Sequence, residues 1–329
     1  MKVLVTGASG FLGGALTRAI SEKGDDVRIL ARPSSSLVHL DDLDIEVIRG
    51  SLEEAGSLVP AVKGVNIIYH CAAVSTDWAP WKKFKDANIT GVRNLCEAAA
   101  DEQDLKRFLH VSTTDVYGYP RKACDESHPI VNTGLPYNKS KGIGETIVRQ
   151  FSLDRHLPVT VVRPVTVYGP RSMSIVKEIA DLITDRKMVL LDNGASHAGL
   201  LYVENGVRAI IQAAESEKTV GETYNLRDDC DRTWRDFVRD LEKELDVDRS
   251  WCNIPAGLAV LTGFLMEKAY GLLRIKKRPL ITRHMVYMFT RDQGYSIDKI
   301  KNDLGYSPEI SYEEGIKRTA QWYREAYMQ

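Results

Sequence analysis

Net charge is nearly absent from this chain. Its 329 residues carry 44 lysines and arginines against 45 aspartates and glutamates, leaving −1. Such a balance exerts no bulk pull on nucleic acid or an anionic membrane, so a phosphate-bearing ligand has to be held by a local site. Cysteine is scarce. Cys71, Cys96, Cys124, Cys230 and Cys252 are odd in number and widely spaced, with no CxxC pair. That excludes a disulfide scaffold and a zinc site and reads as the reduced thiols of a cytoplasmic protein. The 7 histidines do not cluster, so no metal site is assigned. Long apolar runs are missing too. Residues 2–6 read as a strand that Gly7 cuts short, so no secretory leader is expected. Neither an internal repeat nor a low-complexity tract is present. What remains, 43% hydrophobic and 27% charged residues, suits an ordinary globular chain of about two units of ~150 residues each.

The apolar run at residues 2–6, ended by glycine, suits a strand of a parallel sheet covered on both faces. A helical pattern follows over residues 11–23, with Leu12, Leu16, Ala19 and Ile20 on one face and Gly24 at its end. Strands at residues 27–31, 45–49, 65–70 and 108–112 continue the alternation, with a long helix over 81–100. A helix over 137–155 and a strand at 159–163 complete it. Strands alternating with helices predict an α/β fold, a Rossmann-type doubly wound parallel sheet. Beyond Pro170 short strands (189–191, 200–203, 223–226) mix with helices (207–215, 234–245). The chain thus divides into a dinucleotide-binding part, 1–170, and a smaller mixed substrate-binding lobe, 171–329, with some crossing back to the sheet.

The first strand-to-helix turn reads Thr6-Gly7-Ala8-Ser9-Gly10-Phe11-Leu12-Gly13-Gly14. One glycine permits the tight turn, a second lets backbone N–H groups approach a pyrophosphate, and a third lets the helix pack close to the strand. The helix N-terminus adds partial positive charge. Gly7, Ser9, Gly10, Phe11, Leu12 and Gly13 are therefore candidate cofactor residues. At the end of the second strand stands Ala31-Arg32-Pro33-Ser34-Ser35, without the acid that would accept from the 2′-hydroxyl of NAD. The forked donors of Arg32 suit a 2′-phosphate, so NADP is expected, with NAD the alternative. The bland reading of Arg32 is a solvated loop residue.

Tyr137-Asn138-Lys139-Ser140-Lys141 contains Tyr-x-x-x-Lys, two residues on one helix face. A phenol near its ordinary pKa of about 10 is a poor base at neutrality. A neighbouring ammonium is expected to lower it. Upstream, His110-Val111-Ser112-Thr113-Thr114-Asp115-Val116-Tyr117-Gly118 is a strand that ends in hydroxyls, at the edge where such sheets bind ligands.

The glycine spacing, Tyr-x-x-x-Lys and the Val116-Tyr117-Gly118 ending together resemble the extended short-chain dehydrogenase/reductase superfamily. The resemblance implies Tyr137 as acid/base and Lys141 as its tuner and ribose contact. It implies Thr113, with Ser112 the alternate, as the hydroxyl polarising the substrate oxygen. Asn88, in Asn88-Ile89-Thr90-Gly91-Val92-Arg93-Asn94-Leu95, matches the family's supporting asparagine; a helix-packing amide is the other reading. His70-Cys71-Ala72-Ala73 matches the small stretch under the cofactor, so Cys71, Ala72 and Ala73 are candidates. Pro164 and Val167, in Arg163-Pro164-Val165-Thr166-Val167-Tyr168-Gly169-Pro170, match the segment flanking the nicotinamide. Where the family usually has Gly-Asp-Leu at the adenine edge, this chain has Gly50-Ser51-Leu52, which assigns that contact to Ser51 and Leu52.

Many nucleotide-sugar members of the superfamily carry Arg-Asp-x-x-His-Val-Asp-Asp in the second lobe. The matching stretch here is Ala198-Gly199-Leu200-Leu201-Tyr202-Val203-Glu204-Asn205, without the arginine. Tyr202-Val203-Glu204-Asn205 instead resembles the 3β-hydroxysteroid/sterol dehydrogenase and dihydroflavonol-reductase-like group. The implied reaction is hydride transfer at a hydroxyl or carbonyl carbon of a hydrophobic, sterol-like or polyketide-like small molecule. The alternatives are a nucleotide-sugar 4-epimerase or dehydratase, and a dinucleotide-sensing binding protein. The family resemblance also implies a homodimer. Residues 256–273 are rich in Leu, Ala, Val and Phe but broken by Glu267, Lys268 and three glycines, too interrupted for a span of about 20 apolar residues. A lid, an interfacial helix making peripheral membrane contact through 256–278, and a buried helix all fit. Trp78, Trp81 and Phe84 read either as pocket wall or as core.

Overall fold

Val3 and Val5 belong to one apolar core and Leu4 to another, all three almost wholly buried. This alternation is what a strand covered on both faces requires. The computed structural model describes residues 1–248 and 251–328. Strands β1 (Lys2–Thr6), β2 (Asp26–Ala31), β3 (Glu46–Arg49), β4 (Ile67–His70), β5 (Arg107–Val111) and β6 (Val159–Pro164) follow the predicted order. Outside this group lie β7 (Thr166–Tyr168), β8 (Val189–Leu191), β9 (Leu200–Tyr202), β10 (Thr223–Leu226) and β11 (Cys252–Ile254). The main sheet has seven parallel strands in the order β10-β6-β5-β4-β1-β2-β3. Connections that begin at β1 and run outward in both directions are those of a Rossmann sheet, whose ligand crevice lies where the strand order reverses.

Helices α1 (Phe11–Glu22), α2 (Ala55–Val62), α3 (Trp81–Lys85), α4 (Gly91–Ala100) and α5 (Pro136–Arg155) link the strands. One core layer joins Leu4, Ile68 and Phe108 to Leu58, Leu95 and Val148 of α2, α4 and α5. The other joins Val5, Ile67 and Leu109 to Leu16 of α1 and to Ile210 of α7 (Val203–Glu215). Each such fully buried aliphatic side chain contributes roughly 1.5–3 kcal/mol.

Three departures from the sequence reading concern the site. The helix expected over 81–100 is interrupted by a π-helical turn, Asp86–Thr90, which carries Asn88; such turns widen a helix locally. The run at 223–226, read with the second lobe, is instead the edge strand β10, paired with β6. Residues this few carry no signal of which sheet they join. The buried-helix reading of 256–273 is overturned: α9 (Ala256–Leu272, after α6 at Val176–Thr184 and α8 at Trp234–Leu245) buries only Ala259 and Gly263. It packs against α10 (Arg283–Thr290); α11 (Asp298–Leu304) and α12 (Tyr312–Tyr327) end the chain's helices.

Candidate active site

A cavity of about 620 Å³ opens at the carboxyl ends of β1, β2, β4 and β5, and Gly7, Ser9, Gly10, Phe11, Leu12 and Gly13 line its floor. Gly7 has φ +80°, and a Cβ there would sit 2.7 Å from the Ala72 nitrogen; a Cβ on Gly13 would stand 2.3 Å from the Gly7 carbonyl oxygen. Both positions therefore exclude any side chain. Helix α1 begins with no side-chain cap and no acid in its first turn. Its N–H groups are thus left for an anion. The cradle, the uncapped helix and the small Cys71-Ala72-Ala73 wall fit a dinucleotide pyrophosphate. Gly13→Ala is expected to weaken binding of a nicotinamide dinucleotide by at least about tenfold, checked by quenching of protein fluorescence; unchanged affinity would remove the cradle's assigned role.

Arg32 is exposed at the cleft edge with Ser35, Ser51 and Leu52 nearby. A second cation, missed by the sequence reading, accompanies it. Arg49 donates to the Arg32 carbonyl (3.2 Å) and the Ser35 carbonyl (3.4 Å). Pro164 and Val167 line the opposite wall.

Tyr137 enters the cleft from the first turn of α5, a helix started by Pro136, whose missing N–H has no partner to lose there. Thr113 and Ser112 lie at the end of β5, both buried. Thr113 takes an extended conformation, its hydroxyl accepts from the Asp115 amide (3.2 Å), and it lies close enough to Tyr137 to favour the ionised phenol. Ser112 lies beside Glu145 instead. The turn after Thr113 is clamped by Asn138, unremarked in the sequence. Its Nδ2 donates to the carbonyls of Asp115 (2.6 Å) and Val131 (3.0 Å), locking the hydroxyl strand to the tyrosine helix.

Lys141 is buried, and its ammonium donates to the Val111 carbonyl at 2.7 Å. Burial lowers its pKa to about 8. Lys141 is not among the groups that move the Tyr137 phenol in this structure. Burial raises the phenol above its ordinary value, the Asp115 carboxylate raises it further, and only the Thr113 hydroxyl opposes them. Beneath Lys141, Glu145 receives Arg163 at 2.6 and 3.1 Å. Burial pushes that carboxyl up, but the Arg163 guanidinium holds it below the usual range. His70, with its ring against His110 and near Lys141, is driven down to about 3 by burial and stays neutral.

Asn88 does not line the cleft. Its Oδ1 accepts from the Val74 amide (2.8 Å), and its Nδ2 donates to the Val74 carbonyl (3.1 Å) and the Ser140 hydroxyl (3.0 Å). It ties the loop after β4 to the tyrosine helix. Gly144 permits this approach, since a Cβ there would lie 2.5 Å from the Asn88 carbonyl oxygen. Trp78, Trp81 and Phe84 do not wall the cleft either. Phe84 is core, Trp81 carries Lys139 over its ring and Trp78 meets Tyr270 edge-on.

The second lobe supplies residues that no local pattern announced. His284 of α10 lies with its ring 5.5 Å from that of Tyr137, and its Nε2 is 3.4 Å from the Asp115 carboxylate. Met285 and Met288 line the same wall. Asp77, in the loop after β4, receives Arg278 (2.6 and 2.9 Å) and the Thr282 hydroxyl (2.6 Å), fastening the lobe across the cleft. Ala198, Leu200, Leu201 and Tyr202, by contrast, are core and present no cation to the cleft.

A profile of the NAD dependent epimerase/dehydratase family matches residues 3–226. A 2-alkyl-3-oxoalkanoate reductase of Stenotrophomonas maltophilia is 28% identical over 97% of this chain and 98% of its own. A 4-hydroxy-2-methyl-3-oxo-4-farnesyl-3,4-dihydroquinoline-1-oxide ketoreductase of Stigmatella aurantiaca is 29% identical over 96% of this chain and 95% of its own. Among solved structures, the dTDP-glucose 4,6-dehydratase DesIV of Streptomyces venezuelae, with NAD bound, aligns with a TM-score of 0.81 at 25% identity, covering 99% of this chain and 98% of that one.

Proposed function

This chain belongs to the NAD dependent epimerase/dehydratase family and is a nicotinamide-dependent dehydrogenase/reductase, and from that premise we propose that it is an NADP(H)-dependent reductase of hydrophobic 3-oxo acids or similar bulky ketones. The observation that carries the reading is the meeting of Tyr137, Thr113 and Lys141 in one cleft with the glycine cradle. When bound, the nicotinamide supplies or accepts the hydride. The Thr113 hydroxyl orients and polarises the substrate oxygen, and the Tyr137 phenol delivers its proton there. A phenol held protonated by burial is suited to act as the acid of the reducing direction. Lys141 holds the ribose and carries charge below about pH 8. Beside the phenol stands the Asp115 carboxylate, 3.4 Å from the His284 Nε2, which opposes phenolate formation.

Arg32 with Arg49 supports NADP over NAD. The walls formed by Val74, Ile175, Met285 and Met288, and the two relatives named for oxo substrates carrying alkyl or farnesyl groups, support a hydrophobic substrate. NADPH oxidation with 2-alkyl-3-oxo acids of increasing chain length tests this. Turnover of a UDP-sugar without net cofactor change would replace it with the epimerase reading. Arg32→Ala is expected to raise the Kd for NADPH by about 10–100-fold and leave that for NADH unchanged, measured by titration of each. An equal effect on both would overturn the 2′-phosphate assignment.

A further inference from the structure

Helix α9 turns the wrong face to water. On its body side Ala259 and Gly263 are buried, and a Cβ on Gly263 would stand 3.1 Å from the Thr282 backbone. On the other side Leu258, Leu261, Leu265 and Leu272 recur at helical spacing as one stripe, exposed by 58, 54, 56 and 84%. A surface helix ordinarily presents polar residues there. The stripe continues past the helix in Leu273 and Leu280, exposed by 67 and 78%. Between them lie Arg274, Lys276 and Lys277, all exposed, and no ion pair holds them among the described residues. The remaining charges turn inward: Glu267 binds Arg283, and Arg278 binds Asp77 and Glu178. Only Lys268, placed over the Phe264 ring, is added on the helix itself. The patch therefore combines an apolar stripe with outward charge of a single, positive sign.

We propose that α9 and the basic turn after it form a docking surface for an anionic phospholipid bilayer. The helix would lie in the interface plane, with its leucines among the acyl chains and its cations on the headgroups. Among the described residues no helix is long and apolar enough to cross a membrane, so the contact is peripheral. A second copy fits less well. A two-fold interface meets its own surface, and this surface holds no free carboxylate to match its cations. The position of the patch adds a purpose. The basic turn runs directly into Arg278 and Thr282, which are fastened to Asp77 at the cleft, and then into His284 and Met285 of the cleft wall. Docking brings the cleft mouth to the lipid surface, where a hydrophobic substrate of the proposed class concentrates. That benefit rests on the substrate reading, but the docking itself does not.

Co-sedimentation of the full chain with vesicles tests the proposal independently of any substrate. Binding is expected to equimolar phosphatidylglycerol–phosphatidylcholine vesicles, to be at least tenfold weaker on pure phosphatidylcholine, and to weaken with salt. Leu261→Glu/Leu265→Glu and Lys276→Glu/Lys277→Glu should each lower it at least tenfold while NADPH binding and melting temperature stay at the parent's values. No binding by the parent chain, or binding by both variants at the parent's level, would overturn it. So would a parent dimer that Leu261→Glu/Leu265→Glu dissociates without any vesicle binding; this outcome would assign the stripe to a second copy.

Discussion

Replacing Tyr137 by phenylalanine is expected to lower kcat for ketone reduction by about 10²–10⁴-fold, the usual contribution of a positioned general acid, with NADPH affinity unchanged. The phenylalanine keeps the ring that packs against His284 and removes only the hydroxyl. Because the phenol is held protonated well above neutrality, its acid form is present throughout the physiological range. The pH limit should come from Lys141 instead. Its folded value near 8 means that its ammonium is lost as pH rises through 8, so kcat/KM for reduction should fall there in the parent enzyme. Stopped-flow measurement of NADPH oxidation from pH 6 to 10 checks both statements. Retention of more than a tenth of the parent rate by Tyr137→Phe would remove the tyrosine from the chemistry.

Arg163→Met is expected to cost about 3–5 kcal/mol of stability, the range for removing one partner of a buried ion pair. Side-chain exposure is 2% for Arg163 and 0% for Glu145, so the carboxylate left behind has little water to solvate it; its remaining ion pair, with Arg149 at 3.0 Å, is 40% exposed on the arginine side. The guanidinium also lies over the Tyr117 ring, 4.6 Å from its centre. Removing both charges with Arg163→Met/Glu145→Leu should recover most of the loss, since a buried pair is often no more stabilising than apolar residues of its size. The pH sign follows from the lowered carboxyl of Glu145. Its folded value lies below its unfolded one near 4, so the pair's contribution is complete above that pH and is lost on acidification through the folded value. Urea denaturation of the three proteins at pH 7 and pH 4 measures both effects. Equal destabilisation of the single and double variants would show that packing, not charge, dominates.

The glycine turn, Tyr137 and Lys141, and the strand ending in Ser112 and Thr113 were legible because each is a local pattern. A strand's apolar run, a turn lacking Cβ atoms and a helical spacing of four are all set by neighbours in the chain. The same holds for the alternation from β1 to β6, since parallel neighbours must be joined by crossovers that carry helices. Choosing between Ser112 and Thr113 was beyond that reach. Adjacent hydroxyls differ only in which side of the strand end they leave from, and only the fold shows Thr113 beside Tyr137 and Ser112 beside Glu145.

The strands, the glycine turn and the helix that carries Tyr137 and Lys141 are written in the residues alone, because they rest on periodicity and backbone conformation within a few positions. It took the folded chain to show that Asp115 faces His284, that Asp77 fastens the second lobe, that Asn88 bonds the loop after β4 to the helix of Tyr137, that burial raises the Tyr137 phenol, and that the leucines of α9 look outward. Each of these depends on which distant surfaces meet and on how much water they exclude. Contact and desolvation are properties of the folded chain, with no trace in the spacing of its letters.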